Sequence, residues 1–243
     1  MNAIGAAAAA HFDEEALRRD AASLRHPLTR ALLVFTFTTG LVDAVSYLGL
    51  GRVFTANMTG NVVLLGFGLA GSVGLPVVAP IVSLACFLVG AGAGGALVRR
   101  RANRHSALVA RANGIEALLL AVAAIVAAVA NVHPGHLAAY AMIVPMAVAM
   151  GVRNAVVRRI GVPDMTTTVL TMTLTALAAE SVPAGGTGKG SSRRLAAVLA
   201  MLAGAVAGAL LLKASLFLPL AVAAGLALAT CLAYAPSARR LDG

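Results

Sequence analysis

The chain has 243 residues, 60% of them hydrophobic and only 12% charged, about half the charge that coats an average soluble domain. A mean hydropathy of +0.90, with uncharged runs near the ~20 residues that cross a ~30 Å hydrocarbon layer, defines an all-α polytopic membrane protein whose immediate partner is the lipid bilayer. The net charge of +10 does not point to nucleic acid, because the arginines flank apolar segments and form no basic module interleaved with aromatics.

Residues 1–28 read as a tail. Ala6–Ala10 is too short for the apolar core of a signal peptide, and Asp13, Glu14 and Glu15 follow it directly. The stretch ALRRDAASLRHP reads as a short amphipathic helix or loose arm on the membrane surface. Splitting the remainder at charges, prolines and glycines gives eight apolar segments: 30–50, 53–71, 76–98, 114–132, 137–157, 164–180, 195–212 and 215–235. The second carries FTANMTGN (Phe54–Asn61) inside a run from Val53 to Val98 without a charge. The sixth is threonine-rich from Thr166 to Thr175, and Pro163-Asp164 before it reads as a turn with Asp164 as N-cap. Cys86 and Cys231 lie within apolar runs without CxxC or Cys/His spacing, so neither a disulfide framework nor a metal site is expected.

The two halves resemble each other. Gly40-Leu-Val-Asp43-Ala44 aligns with Gly151-Val-Arg-Asn154-Ala155 at an offset of 111. Thr59-Gly60-Asn61 falls on Thr171-Met172-Thr173 at 112, and GAGAGGALVR (Gly90–Arg99) falls on GAVAGALLLK (Gly204–Lys213) at 114. The expected organisation is a cytoplasmic tail (1–28), a first membrane repeat (29–132), a second (137–236) and a cytoplasmic C-terminal tail (237–243). Gly90/Gly94 and Gly204/Gly208 carry the small-xxx-small spacing that lets membrane helices approach closely.

Basic residues decide the topology, since cytoplasmic loops are enriched in Lys and Arg. If all eight segments cross, the 19 basic residues divide almost evenly between the two sides. If segments two and six enter and leave by the same side, only Arg52 and Lys213 fall outside, and 19 less two leaves 17 inside. Six crossings with two re-entrant or broken segments follow. Each half then crosses an odd number of times, so the halves insert as an inverted repeat, a plan familiar from transporters.

With TGLVDAVSYLGL…VFTANMTGN and GVRNAVVRRIGVPDMTTTVLTMTLTALAAE in view, the chain resembles the YoaK-like (DUF1275) family of bacterial inner-membrane proteins, over about residues 28 to 236. The resemblance implies a multi-pass protein of the bacterial inner membrane with about six spans; it implies no substrate or activity.

Candidate site residues therefore come from the chain itself. Asp43 is a carboxylate well inside segment one, a costly placement that calls for a partner or an aqueous cavity; it reads equally as a proton-exchanging group, a pair for Arg153, or a cap for the broken segment. Asn57, Thr59, Gly60 and Asn61 could unwind segment two and offer oxygens and amides to a small solute or ion, or bond neighbouring helices. Thr171 and Thr173 occupy the matching positions of the second half, and Asn154 is the repeat mate of Asp43. Arg153 reads as a group that attracts an anion or, the plainer reading, as an anchor at the cytoplasmic interface, and Glu116 and Glu180 as segment-end residues, solvated or paired. No nucleophile elbow, HExxH, P-loop or Rossmann fingerprint is present, so no enzyme, cofactor or ATP-driven pump is expected. The leading expectation is a secondary transporter or channel-like permease, compatible with a homo-oligomer. The alternative is a non-transporting scaffold or stress-associated membrane protein.

Overall fold

The computed structural model describes residues 27–100, 105–160 and 170–239. Eight helices make up the described chain: α1 (Pro27–Ala44), α2 (Met58–Leu69), α3 (Val78–Arg100), α4 (His105–Val129), α5 (Leu137–Ile160), α6 (Leu170–Ala179), α7 (Ser191–Leu212) and α8 (Phe217–Arg239). A widened π turn, Val45–Gly49, continues α1 directly. Among the described residues, six helices are long and apolar enough to cross a membrane, and α2 and α6, the latter described only from Leu170 onward, are shorter. At 1.5 Å per residue they reach only about 18 and 15 Å. The cap of the sixth segment, Asp164, and the threonines 166–168 lie outside the described residues, as does the N-terminal arm.

Helix ends follow the local chemistry, with one departure from the sequence expectation. The fourth segment does not begin at residue 114: α4 starts nine residues earlier, at His105. Arg111 had seemed to bound it, but this side chain is exposed on a helix that simply continues past it, as long cationic side chains allow.

α1 and α5 are the most buried spans (67% of each apolar window), whereas α3, α7 and α8 are about a fifth buried. The peripheral helices show apolar side chains outward, among them Leu88, Val89, Leu199 and Leu232, as a bilayer requires and water would not.

Packing follows a paired scheme. α1 packs on α7, α5 on α3, α4 on α8, α4 on α5 and α1 on α8, and each short helix packs on the span after it. The closest approaches are glycine-mediated. Gly40 lies against the backbone of Met201, Gly204 and Ala205; Gly151 lies against Phe87, Gly90 and Ala91. Reciprocally, Gly204 meets Phe37 and Gly208 meets Leu41 and Ala44, while Gly90 meets Val148 and Gly94 meets Val152 and Ala155. Each of these glycine contacts of the α1–α7 pair thus recurs in the α5–α3 pair at offsets of 111 or 114.

The chain around α2 turns back on itself. Arg52, held in the left-handed region (φ 58°), lies before α2, and its Nη1 is 3.5 Å from the Gly74 carbonyl after it. Both line one surface pocket with Pro134 and Tyr140. The two ends of segment two therefore sit at the same end of the bundle, beside the 131–136 loop.

Candidate membrane-embedded site

Between Arg52 and α2 the chain is non-helical and bends at Thr55 and Ala56, and its tip is fixed by side chains from three elements. Asn61 is fully buried; its Oδ1 accepts from Phe54 N (2.8 Å) and its Nδ2 donates to Phe54 O (2.6 Å). Ser83 of α3 donates to the same carbonyl at 2.6 Å. Asp43, 8% exposed, accepts from the amide of Ala56 at 3.2 Å, and the amides of Thr55 and Asn57 face the same carboxylate. Backbone at membrane depth survives only with such partners. Asn57 then caps α2, its Oδ1 accepting from Gly60 N at 3.2 Å.

A cavity of about 560 Å³ opens beside this tip. It is lined by Tyr47, Phe54, Asn57, Thr59, Gly60 and, from the second half, Leu170, Thr171, Leu174 and Met201. Tyr47 and Phe54 stack with centroids 4.9 Å apart. Gly60 leaves no room for a side chain, because a Cβ there would strike the Phe54 ring.

The sequence candidates divide accordingly. Asn57, Thr59, Gly60 and Thr171 share the cavity. Asn61 and Asp43 stand behind it and hold its wall: the capping role for Asp43 is the one the geometry gives. Thr173 is buried on α6. Asn154 is half-buried and bonds back one turn to the Met150 carbonyl at 2.8 Å, so it does not join the cavity lining.

A second polar cluster lies deeper. Arg153 is fully buried, not an interfacial anchor as its position near Arg158 and Arg159 suggested. Its Nη1 donates to Glu116 Oε1 and Thr38 Oγ1, both at 2.8 Å, and its Nη2 to Thr39 Oγ1 at 2.5 Å. The guanidinium also stands over the Phe35 ring, 5.7 Å from its centroid. Its partner is Glu116 rather than Asp43, though its charge acts on both carboxylates. The signal for Glu116 was present: it is the one charged residue between Arg111 and Arg153.

Among the described residues, an all-helical bundle with six spans and two shorter apolar helices that share a cavity of mixed polar and apolar lining defines a polytopic integral membrane protein. Residues 31–233 match the family described as "Protein of unknown function (DUF1275)", and the chain belongs to that family. It is 34% identical over 158 residues, 65% of this chain and 67% of the relative, to the UPF0700 transmembrane protein YoaK of Bacillus subtilis (strain 168). No solved structure matches it.

Proposed function

We propose that the protein is a secondary transporter or channel-like permease of the bacterial inner membrane, passing a small solute or ion between two halves inserted as an inverted repeat. One observation carries the reading: the broken helices of both halves, through Asn57, Thr59 and Gly60 on one side and Thr171 on the other, line a single cavity. Polar groups on discontinuous helices at a repeat interface are how many transporters bind their substrates. The recurrence of the glycine contacts at constant offsets supports the repeat. Its inversion is supported by α1 running toward the end of the bundle that bears the 131–136 loop while α5 runs away from it. The excess of basic residues at the opposite end supports cytoplasmic termini; removing the buried Arg153 from that count leaves the asymmetry intact.

The test is flux in liposomes containing the purified protein, across a panel of inorganic ions, amino acids, sugars and organic acids. Thr171→Trp, which fills the cavity from an exposed position, should abolish the flux at unchanged thermal stability. Absence of flux for the whole panel, or flux indifferent to Thr171→Trp, overturns the reading.

A further inference from the structure

Among the described residues, three polar atoms in the deeper cluster are buried without a hydrogen-bond partner: Glu116 Oε2, Asn113 Oδ1 and Arg153 Nε. Their residues are at most 1% exposed. Buried polar groups left unpaired are few in native proteins, because each forfeits its hydration without a replacement. Two of the three are acceptors, three residues apart on one face of α4. The orientation of the Asn113 amide is fixed, because its Nδ2 donates to the Val109 carbonyl at 2.8 Å; a flip would set carbonyl against carbonyl. A carboxylate oxygen and a carboxamide oxygen cannot bond each other.

One proton changes this. A neutral Glu116 carries Oε2–H, which can donate to Asn113 Oδ1 while Oε1 continues to accept from Arg153 Nη1. Residues three apart on a helix are side-chain neighbours, so this one bond would satisfy both acceptors on α4. We propose that Glu116 is a proton-binding site, with Arg153 as counter-ion of its ionised form and Asn113 as hydrogen-bond acceptor of its protonated form. The site deepens the transport reading by naming the proton as coupling ion, and rests on that reading only for its use, not for the protonation itself.

The surroundings make the switch specific. α5 brings Arg153, α1 brings the hydroxyls of Thr38 and Thr39 and, beyond the guanidinium, Asp43. α8 brings Tyr234, packed against the neighbouring apolar cluster, and Cys231 beside Gly114; α3 carries no charge before Arg99. When Glu116 takes up its proton, Arg153 keeps its charge and loses the anion that balanced it. Asp43 then becomes the nearest anion acting on it, and Asp43 is the side chain that holds Ala56 at the tip beside the cavity. Proton uptake is thereby connected to the cavity wall through two charges.

Infrared difference spectroscopy of the purified protein reads this directly. As pH is lowered, a C=O stretch of a protonated buried carboxyl should appear. It should shift when glutamate side chains carry ¹³C in the otherwise unaltered protein, vanish in Glu116→Gln, persist in Asp43→Asn and move to higher frequency in Asn113→Ala. Glu180, the other glutamate described, is an exposed partner of Arg194 (2.6 Å). Glutamate labelling therefore separates a glutamate band from the Asp43 carboxyl even if a variant fails to fold, and Glu116→Gln, which keeps Glu14, Glu15 and Glu180, assigns it to Glu116. No titrating band while the protein stays folded, or a band that ignores glutamate labelling and disappears in Asp43→Asn, overturns the proposal. Because no flux is measured, a transport assay that finds nothing leaves this result standing, and the converse also holds.

Discussion

Replacing Asn61 by alanine separates a structural clamp from a solute ligand. The substitution removes two hydrogen bonds to Phe54, of 2.8 and 2.6 Å. The Phe54 carbonyl keeps Ser83, so only the Phe54 N–H loses its partner. Two lost bonds contribute about 1 kcal/mol each, and a stranded buried donor raises the cost toward about 3 kcal/mol. Lipid-embedded bonds sit at the lower end of such ranges, which gives an expected loss of about 2–3 kcal/mol. For a chain of this size that lowers Tm by roughly 4–12 °C. The protein supplies its own reporter: Cys86 and Cys231 are free, half-buried thiols, so unfolding can be followed with a thiol-reactive fluorophore. Thr175→Ala is the control, since this exposed hydroxyl only bonds back to the Thr171 carbonyl and its loss should cost under about 0.5 kcal/mol. If Asn61→Ala melts with Thr175→Ala and the wild type, Asn61 does not hold the tip and the account of the broken segment is wrong.

Further expectations concern packing, the ion pair and topology. Gly90→Ala and Gly204→Ala should each destabilise by about 1–3 kcal/mol, because the new methyl strikes the facing helix backbone. Gly92→Ala, with open space at its Cβ, should be neutral or stabilising by about 0.5–1 kcal/mol; equal melting shifts at positions 90 and 92 would refute the packing. Arg153→Met should cost about 3–5 kcal/mol by stranding Glu116, and Arg153→Met with Glu116→Gln should recover part of it. A double variant less stable than the single one would show that the pair is not what sets the cost. In a background lacking native cysteines, Val73→Cys should label from the same side of the membrane as His133→Cys, and Gly185→Cys from the other. Labelling of positions 73 and 133 from opposite sides would mean that α2 crosses.

The six spans were legible because crossing a bilayer demands length and apolarity, and both are written locally. The shortness of α2 was legible from the arginine distribution, and Asn57, Thr59, Gly60 and Thr171 stood out by their polarity in an apolar run. The deeper cluster was harder to see. Arg153 sits about one and a half helical turns before Arg158 and Arg159, and nothing local distinguishes a buried guanidinium from two exposed ones. Only the tertiary approach of α1 and α4 supplies its hydroxyls and its carboxylate. Glu116 was misplaced for a related reason, since Arg111 looked like a helix boundary. Asn61 and Asp43 stood out by their polarity inside apolar runs, yet whether such groups face a solute or their own backbone depends on a turn whose path no periodicity records.

The bonds at the tip of the hairpin have a mechanical consequence. Phe54 is tied to α3 through Ser83, and Ala56, two residues on, is tied to α1 through Asp43. α3 packs with α5 and α1 with α7, so these two ties end on different helix pairs. The tip is a tie-bar across the seam between them. Any sliding of one pair against the other must stretch or slacken it, and Asn57, the next residue along, carries that displacement into the wall of the cavity.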